Sequence, residues 1–381
     1  MAFHYVRKLA GSIFALLSIL SAARAQTWTS VGNPGFSTGE VTYPSIAIDA
    51  NGNPYVAYVG YVNGNKATVM EYNGSTWLPT GTTGFSAGQI NYISMAMDAN
   101  GVPYVVYQDG VNGAKATVMK DSSSIWVAVG STAFSPAKVG FTSTSIVIDA
   151  SGTPYIAYFD AASDQVAVMK YNGTAWVTLF TTPDLTSTFS IAVDGTGTPY
   201  LAYADSINSY KATVIKYNGT SWVMVGSAGF STIIANANEQ DYLSIAIDGA
   251  GTPYLAYTDD ISSKAFVMKF NGSSWVTVGS AGVSTGAASA TSIAIDANEV
   301  PYIAYTDGAN ADKATVMKYD GTNWVTVGNA NFTLGGAYYT RLAISDTTLY
   351  VSYQDANNNN KATVMKYVLP LSVNTVNNLR K

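Results

Sequence analysis

The chain has 381 residues, no Cys, one His and a formal charge of −5. The single histidine is His4, so residues 26–381 carry neither His nor Cys. That excludes Ser-His-Asp and Cys-His nucleophile systems, His-ligated zinc and copper-radical oxidation from this part of the chain.

At the start, Arg7 and Lys8, an apolar run over 9–20 and Ala23-Arg24-Ala25 before Gln26 form the three parts of a secretory signal peptide. The run covers twelve residues, short of the roughly 20 needed to span a bilayer. Residues 1–25 are therefore expected to be removed on export, leaving a protein that is secreted or held at the cell surface. Removal takes away Arg7, Lys8 and Arg24, so 19 basic side chains become 16 against 24 acidic, a balance of −8. Such a charge repels phosphate backbones and anionic lipids, and neither nucleic acid nor membrane insertion is expected. An exported chain without Cys lacks the usual disulfide staples and must be stabilised by burial.

From there the chain is written in one repeating unit. Its clearest copy runs from Ser292 to Gly328 and reads SIAID, a turn, PYIAYTD, a second turn, then KATVMKYDGTNWVTVG. Each unit offers four short β segments, which in the second unit fall at 94–98, 103–109, 115–120 and 126–130. Alternation in KATVMKY, β-branched and aromatic enrichment, and Gly, Asn and Pro between the runs all mark strands. A fixed-period repeat is also the strongest signal of architecture a sequence carries. No stretch beyond residue 25 has a sustained helical period.

The turns have physical reasons. Asn-Gly at Asn73, Asn172, Asn218 and Asn271, and Asp-Gly at Asp320, join the third segment to the fourth, and both residues of such pairs tolerate positive φ. Those four asparagines also sit in Asn-Gly-Ser/Thr sequons, which matter only in a eukaryotic secretory host. Between the first and second segments, an Asp opens the turn and a Pro starts the next strand, as at Asp49 and Pro54.

Side-chain size grades along the unit, from Ile and Ala in the first segment to Trp at the start of the fourth. A radial array of sheets needs that taper, because blades crowd near the axis and diverge outside. Tryptophans stand at 28, 77, 126, 176, 222, 275 and 324, spaced 46 to 53 residues apart. Trp28 has no repeat before it, whereas the last unit ends near Tyr367 without a Trp segment. The N-terminal segment is thus the missing outer strand of the last unit, which closes seven four-stranded blades into a ring with no open edge.

Over residues 28–367 the chain resembles the seven-bladed β-propellers of secreted bacterial proteins, akin to the Kelch, sialidase-type and propeller-lectin groups. The resemblance implies an all-β propeller and, because one fold hosts many functions, no particular activity. It also departs from each group. Gly219 lies three before Trp222 as in the Asp-box of sialidase-like propellers, but Asn218 abuts it with no spacer, and the Kelch Gly-Gly doublet is missing from its strand. Sialidases hold a carboxylate with three arginines, and residues 26–381 have only Arg341 and Arg380. The tail 368–381 resembles a linker to a C-terminal sorting domain of the type IX secretion kind, or a plain frayed end.

Three sets of residues are candidates for chemistry. Asp109, Asp160, Asp205, Asp259, Asp307 and Asp355 close the second segment, and Lys115, Lys211, Lys264, Lys313 and Lys361 open the third. Cross-strand charge pairs are the expectation there. Asp49, Asp98, Asp149, Asp194, Asp248 and Asp296 end the first segment. Asp49-Ala-Asn51-Gly52 looks like the opening of a calcium loop, but the six to eight oxygens calcium wants are not there, and turn capping explains the Asp better. No cofactor or metal is expected.

The third set lies where each Trp segment leads into the next blade. Tyr43, Tyr92, Tyr242 and Tyr339 come two residues before the Ser of the first segment, and in the last unit Arg341 replaces that Ser. The loop with the longest spacing adds Asn236, Asn238, Glu239 and Asp241. Uneven aromatics beside carboxylates, amides and a lone arginine at a channel mouth suit a polar, ring-shaped ligand. Tyr43, Tyr92, Tyr242, Tyr339, Arg341, Glu239 and Asp241 are the expected ligand-binding residues. The expected role is a monomeric binding module for carbohydrate or an extracellular protein. The alternatives are a carboxylate-based glycan hydrolase or lyase using Glu239, Asp241 or Glu40, or a structural segment of a larger surface protein.

Overall fold

The computed structural model describes residues 26–183, 185–186, 188–234, 243–279 and 282–370. The expected signal peptide, most of the expected tail, and Asn236, Asn238, Glu239, Asp241 and Tyr242 lie outside them. The described residues form seven antiparallel four-stranded sheets arranged as the blades of a propeller. Helical geometry among them is confined to single 3-10 turns, and no helix is long and apolar enough to cross a membrane.

Blade 1 shows the pattern: Val41–Ile48 innermost, then Pro54–Gly60, Lys66–Tyr72 and Trp77–Pro79 outermost. Its second strand is buried at every position, as a strand must be when both faces pack on neighbouring blades. Ala57 and its equivalents Ala157, Ala202, Ala256 and Ala304 are fully buried, since little room is left between sheets near the axis. The wider gaps outside are filled by tryptophans. Trp77 stacks on Phe36 of the preceding loop, ring centroids 4.1 Å apart, and its Nε1 donates to the carbonyl of Val31 at 2.7 Å. Trp126 repeats this with Phe85 and Thr80, and Trp275 with Phe230 and Val225. Six of the seven outer tryptophans donate in this way to a carbonyl ahead of their own blade and so tie it to the one before.

The ring closes as the tryptophan count requires. Thr29–Ser30 pairs with the last strand, Lys361–Val368, with Thr29 opposite Lys366 and Ser30 opposite Met365. Trp28 stacks on Phe332, and its Nε1 donates to the carbonyl of Val327. Gly328 makes the approach possible: its φ is +68°, and a Cβ there would sit 2.7 Å from the Tyr367 ring. Past the expected end at Tyr367, Val368 completes the strand and the Leu369 N–H donates to Thr347 O at 2.6 Å.

Two expectations need correcting. The innermost strand begins before the recurring Ser of the repeat: in blade 2 it runs Ile90–Met97 rather than from residue 94. Its early part is easy to miss because the register slips between Asn91 and Ser94, a bulge that interrupts the alternation. The Asp and Lys of the second hairpin are cross-strand partners, Asp109 opposite Lys115 and Asp355 opposite Lys361, but the carboxylates turn into their own loops instead of forming charge pairs. Asp355 accepts from Asn358 Nδ2 at 2.7 Å and Thr363 Oγ1 at 2.8 Å, and Asp205 accepts from Asn208 Nδ2 at 2.8 Å and Thr213 Oγ1 at 2.6 Å. Buried at this hairpin, they gain more from short hydrogen bonds than from a flexible, solvated ammonium. The first-segment aspartates are turn caps: Asp49 Oδ1 accepts from the N–H groups of Asn51 and Asn53 at 2.9 and 2.8 Å.

Candidate functional site

One position of the innermost strand faces the axis in every blade. Ser45, Ser94, Ser145, Ser190, Ser244, Ser292 and Arg341 occupy the same register, opposite Ala57, Val106, Ala157, Ala202, Ala256, Ala304 and Ser352. All seven line one cavity on the axis, about 110 Å³ in volume. Thr144, Thr188 and Thr291 add further hydroxyls to its wall, and no carboxylate is among the described residues that line it.

The serines also join the blades. Ser45 Oγ accepts the N–H of Met95 at 3.1 Å, Ser190 that of Ile245 at 3.2 Å, Ser244 that of Ile293 at 3.2 Å and Ser292 that of Leu342 at 3.0 Å. In each case a ring serine accepts from the residue after the next ring position. A hydroxyl that accepts in this way still has its own O–H to donate. Arg341 breaks the pattern: it is the one charged residue among the described residues of the cavity wall, and its Nη1 donates to Thr340 O at 3.2 Å.

Above this ring, the bulge in the innermost strand sets the tyrosines. Tyr43, Tyr92 and Tyr339 have φ of 54°, 51° and 55°, the left-handed region that bulky side chains rarely enter. Ala290 has the same geometry with φ of 49°, so the bulge is a property of the fold, and the tyrosine is what blades 7, 1 and 2 add to it. The three half-buried rings form an arc. Tyr43 lies 5.0 Å from Tyr92 and 4.9 Å from Tyr339 between ring centroids, with interplanar angles of 51° and 56°. Burial pushes the Tyr92 phenol above its ordinary pKa, while a hydrogen bond to Tyr43 works the other way. Tyr43 belongs to both layers, since it also lines the axial cavity.

The structure thus brings together Tyr43, Tyr92, Tyr339 and Arg341. Tyr242, Glu239 and Asp241 stay outside the described residues, and the Thr188 at the equivalent place in blade 4 is buried. Of the acids considered for hydrolysis, Glu40 is described: it is exposed on the loop before blade 1 and accepts from Asn360 Nδ2 at 3.3 Å. The serine ring itself was in plain view as the Ser of every SIAID copy, but nothing in a β period says which strand edge faces an axis.

The fold and its axial cavity define a seven-bladed β-propeller with a tyrosine-capped mouth. No protein-family model matches the chain, and no curated protein matches its sequence. Solved structures do share the architecture. A fungal alcohol oxidase of the AA5 family, in complex with copper, superposes with a TM-score of 0.60 at 14% identity, over 92% of this chain and 78% of its own. An ulvan lyase of polysaccharide lyase family PL25, bound to -[GlcA(1-4)Rha3S]-, gives 0.54 at 12% identity over 92% and 98%. The Aleuria aurantia lectin in complex with Fucα1-6GlcNAc gives 0.51 at 15% identity over 77% and 96%. At these identities the likeness is one of fold.

Proposed function

We propose that the protein is a carbohydrate-binding propeller whose site is the channel mouth formed by Tyr339, Tyr43 and Tyr92 above Arg341. The observation that carries this reading is the tyrosine arc. Three aromatic rings on successive blades are held at a strained backbone geometry and tilted against one another. Strain of this kind, roughly 1–3 kcal/mol per residue, tends to collect at ligand sites because the surrounding structure must hold it in place. Tyrosine suits the task, since its ring covers the apolar face of a sugar and its hydroxyl meets the polar edge.

The neighbours support the reading in kind. A lectin with a fucose-containing ligand and a lyase bound to a uronate–rhamnose polymer use the same architecture. The copper oxidase does not extend to this chain, because residues 26–381 have no His or Cys to hold such a metal. A carboxylate pair is what a glycoside hydrolase needs, and the described residues of the cavity wall present none, which supports binding over cleavage. Secretion or display at the cell surface fits this role.

The test is a glycan microarray probed with the wild-type protein and with Tyr43→Ala. The wild type should retain a defined group of glycans. The variant should lose at least about tenfold in affinity for them, the worth of a good aromatic contact. A wild type that retains no glycan, or a variant that binds equally well, rejects the proposal.

A further inference from the structure

The arc does not hold all the aromatic side chains at the mouth. Tyr338 directly precedes Tyr339 in the innermost strand of blade 7, and Tyr61 opens the turn between the second and third strands of blade 1. Both lie at the mouth end of their blades, since Ala337 is opposite Asp355 and Val41 opposite Gly60. Tyr338 is 40% exposed and Tyr61 49%, whereas the three rings of the arc are half-buried. These two tyrosines are not part of the repeat. Thr42, Asn91 and Ser289 share the register of Tyr338 in blades 1, 2 and 6, and no other blade has an aromatic residue at the place of Tyr61.

Two glycines build the surroundings of Tyr338. A Cβ on Gly336 would lie 3.1 Å from Cζ of the Tyr338 ring, and one on Gly335 would lie 3.1 Å from Asn357. Only without side chains there can the loop pass so close to both residues and bring them together at the rim. Asn357 and Asn359 are exposed in a turn of four asparagines, 357–360. Asn360 Nδ2 donates to Glu40 Oε1 at 3.3 Å, and the Tyr61 N–H donates to Glu40 O at 3.1 Å, so this turn borders on Tyr61.

Rings set among amides have a chemical meaning. A tyrosine offers an apolar face with a polar edge, and an asparagine side chain both donates and accepts. Together they match polyhydroxylated residues that present an apolar face and a rim of hydroxyls. A protein partner calls for a patch core depleted of charge, whereas Glu40 and the asparagines stand among these rings. Size then sets the direction. The axial cavity holds about 110 Å³, well under the roughly 300–1,000 Å³ of pockets that enclose a whole small molecule. A saccharide on the arc therefore extends outward over the face and not down the axis.

We infer that the arc continues into an outer subsite made by Tyr338, Asn357 and Tyr61, and that the ligand is an oligosaccharide chain lying across blades 7 and 1. This rests on the carbohydrate-binding reading and adds to it a dependence on chain length.

The full chain is titrated calorimetrically with the glycan most strongly retained on the array and with its fragments, down to the single sugar. The intact glycan should bind at least about tenfold more tightly than the single sugar, the worth of a further aromatic contact. Tyr338→Ala, at an exposed side chain, should cancel most of that gain and leave the affinity for the single sugar within about twofold. Asn357→Ala should remove a smaller part of the gain, and Tyr43→Ala should weaken both ligands. Ile261→Ser, at an 81% exposed residue on the turn of blade 5, should change neither. If the single sugar binds as tightly as the intact glycan, or the gain survives in Tyr338→Ala and Asn357→Ala, the outer subsite is refuted and the carbohydrate reading stands. A gain lost in Ile261→Ser but kept in Tyr338→Ala also refutes it. If no glycan binds, the carbohydrate reading fails and the outer subsite with it.

Discussion

Trp28 Nε1 donates to the carbonyl oxygen of Val327 across 2.8 Å, although 299 residues separate the two in sequence. This bond and the stack on Phe332 clamp the first strand onto the far end of the chain. Trp28→Ala removes both and leaves a cavity where a largely buried ring had been, a change that costs roughly 3–5 kcal/mol in a packed core. Urea denaturation should show that loss. It should also show a lower slope with denaturant if the freed strand makes unfolding less cooperative.

The clasp is not equal in all blades. Trp222 stands against Phe180 at 5.5 Å and 39° rather than stacked, and its Nε1 is buried without a hydrogen-bond partner. The preceding outer strand, Trp176–Thr181, is longer than its equivalents and bulged, so the carbonyl used elsewhere is displaced. Trp126 has its bond to Thr80 O intact. Trp126→Phe should therefore destabilise the protein by about 1 kcal/mol more than Trp222→Phe, the net worth of one buried hydrogen bond. Equal losses in chemical denaturation would show that the bond contributes nothing.

Ser352 lies opposite Arg341, in the place of an Ala in five other blades, with no exposure and no hydrogen-bond partner for its Oγ. Burying an unpaired hydroxyl costs about 1–3 kcal/mol. Ser352→Ala should accordingly raise stability by about 1 kcal/mol, read as a higher midpoint of thermal or urea unfolding, while binding is unchanged.

The dependence of stability on pH has two edges. Burial pushes the Asp194 carboxyl up, but hydrogen bonds from the Thr196 hydroxyl and from the N–H groups of Thr198 and Thr196 hold it below its ordinary value. Asp259 is likewise held low by the side chain and N–H of Ser262 against the effect of burial. A carboxyl depressed in the folded state stabilises at neutral pH, and that stability is lost as pH falls through the ordinary carboxylate range near 4. Tyr58, Tyr107 and Tyr158 are raised by burial, so their contribution is full below about pH 10 and is lost as pH rises beyond it. Residues 26–381 contain no histidine to titrate between these edges. The urea midpoint should be flat from about pH 5 to pH 9 and fall on both sides. A marked change between pH 6 and 8 would contradict this.

How far the molecule is legible without coordinates differs between its parts. Trp28 without a preceding repeat, and a last unit without a Trp, are enough to place the closing strand, because the outer strand is the part that the last unit lacks and that stands alone before the first full unit. The hairpin aspartates misled, since opposite charges at paired positions suggest an ion pair. Short hydrogen bonds from Asn358 and Thr363 to Asp355 prevail there, and they depend on loop geometry that spacing does not reveal. Tyr43, Tyr92 and Tyr339 were visible as an uneven position in the repeat. Their left-handed backbone was not, because tyrosine is among the last residues that propensity would place there. Arg341 stood out only as an exception to Ser. That all seven positions share one cavity follows from closure of the ring, which a single unit does not contain.

A crystal structure of the protein soaked with a glycan retained on the array would locate the bound sugar directly. Density for the sugar should lie against Tyr339, Tyr43 and Tyr92, with a polar substituent directed toward Arg341. A sugar found instead in a groove between outer strands, such as the one lined by Lys170, Tyr171 and Asn172, with the channel mouth unoccupied, would contradict it.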